Sequence, residues 1–111
     1  MIKATAFDTD LQELANFAKV ISHPARLAIL KHLAETKTCI SGDISDSIPL
    51  SRTTVSQHLK ELRDMGLIHG EIEGLKINYC LCGTSISEKV QLFENFFSEI
   101  KTININCKTS L

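Results

Sequence analysis

The chain lacks the long apolar run of a membrane span, and its first residues lack the apolar core of a signal peptide. None of its hydrophobic stretches approaches the roughly 20 residues that span a bilayer as a helix, and the first ten residues, MIKATAFDTD, contain no apolar core of a signal peptide. Hydrophobic residues make up 43% and charged residues 23% of the 111 residues, as in folded soluble proteins. We therefore expect one cytoplasmic domain, residues 1–111, with no membrane partner.

The chain also lacks the common arrangements of catalytic residues. Its five glycines are scattered and form no loop that could cradle a phosphate, and no Ser-His-Asp or paired-carboxylate arrangement stands out. The formal net charge is −1, whereas nonspecific binding to nucleic acid depends on an excess of positive charge. We expect neither an enzyme nor a nonspecific nucleic-acid coat, and recognition by one local cationic face stays open.

Residues 50–68, LSRTTVSQHLKELRDMGLI, carry the signals of a complete helix. Ser51 suits the N-cap, where its hydroxyl accepts a hydrogen bond from the first turn, and Gly66 suits the left-handed residue that ends a helix. Between them an apolar stripe recurs at the spacing of one helix face. The stripe consists of Val55, Leu59, Leu62 and Met65.

The opposite face of this helix carries short hydroxyl and amide side chains flanked by cations. Three cations, Arg52, Lys60 and Arg63, against Glu61 give a local formal charge of +2. Such side chains read base edges in a major groove and grip phosphates, although any solvated helix also has a polar face. The predicted DNA-binding set is Ser51, Arg52, Thr53, Ser56, Gln57, Lys60 and Arg63.

The flanking sequence extends this helix into a helix-turn-helix, residues 40–66, followed by a hairpin. Ile40, Ile44 and Ile48 are spaced as on a short helix that Ser41 caps, and Pro49 prevents its continuation. Residues 67–82 then alternate as two strands around a turn at residues 73 and 74. On the second strand we expect Ile77, Tyr79 and Leu81 to be buried, with Lys76, Asn78, Cys80 and Cys82 on the other face.

Helices are predicted at both ends of the chain. Residues 8–21 and 85–103 carry apolar stripes. Ala15 and Val20 extend the apolar surface beyond the first stripe, so we expect part of it to meet another chain. We expect these two helices to form a two-fold dimer interface that places two recognition helices on one duplex. A further helix from Pro24 to about residue 34 should bury Leu27, Ile29, Leu30 and Leu33.

The ordered combination of motifs resembles the ArsR/SmtB family of bacterial metal-responsive winged-helix repressors. The motifs are HPARLAIL at residues 23–30, the LS at 50–51 followed by VSxHLKxL at 55–62, MGLI at 65–68, and the hairpin at 74–81. The resemblance covers about residues 17–82. It implies a homodimeric repressor that binds double-stranded operator DNA, contacts bases through Arg52, Thr53, Ser56 and Gln57, and is released by an inducer.

The sequence departs from this family at its known sensor positions. Aligning on Ser51 places Ile40 and Gly42 where the family has a Cys-x-Cys thiol sensor, and Cys39 is out of register. The last predicted helix, residues 85–103, contains no histidine for the family's other common zinc site. The wing carries Glu71 and Glu73 where basic residues are usual, which argues against a wing contact with phosphates.

The remaining cysteines are candidates for the sensor. Cys80, Cys82 and Cys107 offer three sulfurs for a thiophilic metal or metalloid inducer, and oxidation of a pair such as Cys80 and Cys107 is a related option. The alternative is that each cysteine is a small apolar residue with a structural role, as we expect for Cys39.

The sequence thus predicts an α+β, mostly α fold: a winged helix-turn-helix with additional N- and C-terminal dimerisation helices. In the leading hypothesis the chain is a dimeric transcriptional repressor, with Lys60 and Arg63 on phosphates. His58 supports packing or touches a phosphate in this hypothesis and does not read a base. The alternative is a winged-helix protein-interaction module that does not bind DNA. It is suggested by acidic residues near the docking surface, Asp43, Asp46, Glu71 and Glu73.

Overall fold

The computed structural model describes residues 6–36, 44–73 and 76–103, which form a mostly helical unit with one hairpin. In chain order its elements are α1 (Thr9–Ile21), α2 (Pro24–Thr36), the 3-10 helix η1 (Ile44–Ser47), α3 (Arg52–Asp64), β1 (Ile68–Glu73), β2 (Lys76–Leu81) and α4 (Gly83–Lys101). The expected winged helix-turn-helix architecture is confirmed.

The first two helices pack against each other and supply one side of the core. α1 buries Phe17 and Val20, so Val20 belongs to the core of its own chain, whereas Ala15 is exposed. α2 buries residues 25, 29 and 33, whose four-residue spacing lies along one face. Leu27, two positions from Ala25, points away from that face and is 50% exposed, which corrects the prediction that it is buried.

The core is completed by α3 and by the segments that flank it. The most deeply buried large side chains of the whole core are Ile29, Val55, Leu62, Leu67 and Ile68. Ile44 and Ile48 join the same cluster, as their spacing predicted. The described part of that segment is a single 3-10 turn, and its proposed cap, Ser41, lies outside the described residues.

The hairpin pairs β1 with β2 in antiparallel register, from Ile68 opposite Leu81 to Glu73 opposite Lys76. Tyr79 and Leu81 on β2 pack against the core as expected. The expected division into a buried and an open face is wrong at two positions, because Cys80 is only 6% exposed while Ile77 is 40% exposed. α2 packs against β2, and α3 packs against β1. Burial in the hairpin therefore follows closeness to the core as well as the alternation of side chains.

The last helix, α4, starts two residues before the predicted position and packs against α1. None of its residues is fully buried, and Val90, Phe93, Phe97 and Ile100 are all exposed. The Phe93 and Phe97 rings contact each other on this face, tilted by 43° with 4.7 Å between their centroids. Among the described residues no helix combines the length and the apolar character that a membrane span requires.

Candidate nucleic-acid interface

Helix α3 has a sharply defined start and end. The backbone N–H of Thr54 donates to Ser51 Oγ at 3.3 Å, which confirms Ser51 as the N-cap. At the other end Gly66 has a φ of +82°, its N–H donates to the Arg63 carbonyl, and the N–H of Leu67 donates to the Leu62 carbonyl. This pair of hydrogen bonds, with a left-handed glycine, is the helix end that was predicted at Gly66.

The inner side of α3 is held by apolar packing and by one polar contact. Val55, Leu59 and Leu62 are buried in the core. His58 is also buried, and its Nδ1 accepts a hydrogen bond of 3.1 Å from Arg26 Nε, while Arg26 Nη1 donates to the Val20 carbonyl at 3.0 Å. Arg26 thereby links α3 to the end of α1.

The environment of His58 favours its neutral ring. Burial lowers the pKa of His58 first, and the nearby positive charges of His23 and Arg26 lower it further, against a smaller opposing effect of Glu61. The His23 and His58 rings lie 4.3 Å apart between centroids. Because Arg26 donates to Nδ1, a proton at that nitrogen would remove the hydrogen bond.

The outer side of α3 presents every side chain predicted to bind DNA. The exposed set is Ser51, Arg52, Thr53, Ser56, Gln57, Lys60 and Arg63. Four of them lie in the first half of the helix, the half from which side chains reach bases in helix-turn-helix proteins: Arg52, Thr53, Ser56 and Gln57. The structure therefore gathers the predicted residues on one open surface, and their contact with DNA stays a prediction.

Lys60 forms an ion pair with Asp64 that was not predicted from the sequence. Its Nζ lies 2.7 Å from Asp64 Oδ2, one helical turn away. The hydrogen bond between them raises the pKa of Lys60 and lowers that of Asp64. Both side chains are exposed, so a phosphate would compete with Asp64 for Lys60 at small cost. The four-residue spacing of opposite charges could have revealed this pair.

The sulfur atoms in the described residues differ in state. Cys80 is disulfide-bonded, whereas Cys82 is a free, half-buried thiol one residue past β2, at the N-cap position of α4. Of the other candidates, Cys39 and Cys107 lie outside the described residues.

A second group of polar side chains on the hairpin was also missed. His69 stands directly opposite Cys80 in the strand register, and Glu71 follows His69 on the same face. Residues eleven apart in the chain meet only once the register is known, so no local sequence signal indicates this group.

Comparison with known proteins places this architecture in a family. The family model described as "Bacterial regulatory protein, arsR family" matches residues 23–69, which run from the start of α2 into β1. The cadmium resistance transcriptional regulatory protein CadC of Listeria innocua is 30% identical over 99 residues, covering 88% of this chain and 81% of CadC. The chain belongs to the arsR family. The resemblance found in the sequence is thus confirmed.

Solved structures show the same fold as this arsR-family chain. An ArsR-like transcriptional regulator from a Rhodococcus species has a TM-score of 0.69 at 25% identity, with 83% of this chain and 86% of that chain covered. A homodimeric winged helix-turn-helix DNA-binding domain from Mycobacterium bovis has a TM-score of 0.63 at 22% identity, with coverage of 96% and 97%. The match includes α1 and α4, which flank the region matched by the family model.

Proposed function

We propose that this protein is a homodimeric, sequence-specific DNA-binding repressor of transcription. The observation that carries the proposal is the exposed polar face of α3, on a helix that is capped at Ser51 and anchored in the core by its other side. Arg52, Thr53, Ser56 and Gln57 contact bases, and Lys60 and Arg63 contact phosphates. Membership in a family of transcriptional regulators supports this assignment.

The second copy of the chain covers the apolar face of α4. Exposed rings at Phe93 and Phe97, on a helix that buries no residue within its own chain, favour association of two copies. The homodimeric state of the Mycobacterium bovis domain supports the same arrangement. A two-fold dimer presents two α3 helices to two half-sites of one duplex, about 34–36 Å apart.

Release from the operator is thiol-mediated in this proposal, through Cys80, Cys82 and Cys107. The cadmium-resistance role in the name of the related CadC supports a thiophilic metal or metalloid as inducer. The disulfide at Cys80 supports oxidation as the other route. Both routes change the bonding of a sulfur beside β2 and the start of α4.

Binding to DNA is tested with Gln57→Ala. A gel-shift scan of upstream DNA by the pure dimer should find a preferred fragment, and the substitution should then cost about 1–3 kcal/mol of specific binding. Gln91→Ala is the matched control, because Gln91 is an exposed amide on α4 whose Nε2 donates to Asn95 at 2.8 Å. Its affinity for the fragment should equal that of the wild type.

Two outcomes would contradict the DNA-binding proposal. One is the absence of any preferred fragment. The other is salt-independent behaviour together with a stoichiometric protein partner, which would favour an interaction module that uses the acidic wing residue Glu71. A repressor should instead lose affinity steeply as salt rises, because phosphate contacts release counterions.

The inducer is tested by titrating arsenite, cadmium and a disulfide oxidant against the operator complex. The wild type should dissociate, and a variant with Cys80, Cys82 and Cys107 all changed to Ser should stay bound. If both dissociate alike, the thiols do not mediate release.

A further inference from the structure

One face of the hairpin brings together three different metal-binding side chains. The imidazole of His69, the carboxylate of Glu71 and the sulfur of Cys80 each offer one ligand atom, and these atoms all lie within 4.8 Å of one another. His69 Nε2 and Glu71 Oε1 are 3.8 Å apart, too far for a hydrogen bond. The three side chains come from paired strands, so the register itself sets their proximity.

The chemistry of this set suits a borderline divalent cation. Zinc takes sulfur, nitrogen and oxygen ligands at about 2.0–2.3 Å, so two ligands of one tetrahedral ion lie roughly 3.3–3.6 Å apart. His69 and Glu71 are exposed and can close the small remaining distance by rotation, while Cys80 is fixed in the buried base of the hairpin. A thiolate, a carboxylate and a neutral imidazole together carry two negative charges, which a divalent ion balances.

We propose that the hairpin is a metal site in which His69, Glu71 and Cys80 bind Zn²⁺ or a similar ion once Cys80 is reduced. In the structure Cys80 is disulfide-bonded, and a disulfide sulfur is not a thiolate ligand. A dithiol or phosphine reductant supplies two electrons, the S–S bond breaks, and each sulfur takes up a proton. The Cys80 thiol then releases its proton as its sulfur binds the ion.

This site is distinct from the three-sulfur sensor of the proposed function. It shares only Cys80 with that set and recruits His69 and Glu71, and it needs neither Cys82 nor DNA. Metal binding is therefore measured on the protein alone, so its failure leaves the DNA-binding assignment standing, and loss of DNA binding leaves this site standing.

The test titrates Co²⁺ into the full chain, kept reduced by a phosphine under anaerobic conditions. Wild type should show a sulfur-to-cobalt charge-transfer band and the visible bands of tetrahedral cobalt, and the disulfide form should show neither. His69→Ala and Glu71→Gln should each weaken binding by at least the roughly 10- to 100-fold that loss of an outer-shell partner costs. Both residues are exposed, so these variants should stay folded.

Glu88→Gln serves as the matched control, because it removes an exposed carboxylate on α4 and leaves the three ligands intact. Its cobalt spectrum and affinity should equal those of the wild type. An unchanged band in a His69→Ala, Glu71→Gln double variant, or in a folded Cys80→Ser variant, would overturn the proposal. Equal binding by the disulfide form would overturn it as well.

Discussion

Helices α3 and α4 both carry an apolar stripe, but only the stripe of α3 is buried within its own chain. α3 buries its stripe within its own chain, where Leu62 is 0% exposed. α4 buries no residue, and Phe97 on its stripe is 45% exposed. An amphipathic pattern thus predicts a helix and its apolar face, but the partner of that face depends on the rest of the fold.

The solvent-facing surfaces of the two helices also differ, since that of α3 is polar and that of α4 is apolar. α3 turns hydroxyl, amide and cationic groups such as Thr53 and Gln57 to solvent, and these need a polar ligand to replace water. α4 turns phenyl rings to solvent, and these gain free energy when water is removed. In the proposed function, α3 therefore binds nucleic acid and α4 binds a second copy of the chain.

The largest expected effect comes from breaking the buried stripe of α3. Leu62→Ala leaves a cavity at a fully buried position and should lower the free energy of unfolding by about 2–5 kcal/mol. Denaturant unfolding at one fixed protein concentration measures this loss. Leu27→Ala, at an exposed leucine of α2, should change it far less. Equal losses in the two variants would contradict the assigned core.

The next effect comes from breaking the exposed stripe of α4. Phe97→Ala removes a ring from the proposed dimer interface and should raise the dimer dissociation constant roughly 30-fold, or about 2 kcal/mol. Sedimentation equilibrium measures this constant. Phe7→Ala is the control, since Phe7 is also exposed, at 55% against 45% for Phe97, but lies outside the helices. A variant that dimerises like the wild type would place the interface elsewhere.

Local signals were sufficient to predict α3 from the sequence. Its cap at Ser51, its stripe and its stop at Gly66 all lie within one helix, and each acts over three or four residues. The polar face followed from the same periodicity. The pair of Lys60 and Asp64 also has helical spacing and was predictable in the same way.

Features that depend on contacts between elements could not be predicted in this way. The burial of Cys80 and the exposure of Ile77 depend on how far each lies from the core, which strand alternation does not encode. The meeting of His69 with Cys80 depends on strand register. Leu27 was predicted to be buried because α2 carries apolar residues on more than one face, and tertiary packing decides which face is buried.

A smaller effect on stability is expected from the N-cap of α3, which α4 lacks. Ser51→Ala removes the side-chain oxygen that accepts the Thr54 N–H and should cost about 1 kcal/mol of stability. α4 has no such side-chain hydrogen bond at its start. Ser98→Ala is the control, because Ser98 lies inside α4 and caps no helix. It should not lower the stability, since alanine favours a helix interior. Thermal unfolding compares the two, and an equal loss in both would contradict a capping role for Ser51.

The smallest effect concerns the one buried polar side chain among the described residues, His58 at 8% exposure on the inner side of α3. Burial above all, then the charges of His23 and Arg26, hold the pKa of His58 below the value of about 6.5 that it has in the unfolded chain. Between these two pKa values the unfolded chain binds more protons than the folded one. The contribution to stability is thus complete above about pH 6.5 and declines as the pH falls toward the folded pKa.

Measurements of the free energy of unfolding from about pH 7.5 down to about pH 5 test this dependence across the range in which histidine titrates. His58→Gln should show a shallower decline than the wild type, because glutamine takes up no proton beside Arg26. His32→Gln, a change outside the contact between Arg26 and His58, should keep the wild-type slope. If His58→Gln declines as steeply as the wild type, protonation of this ring does not weaken the attachment of α3, and the inner side of that helix depends on its apolar stripe alone.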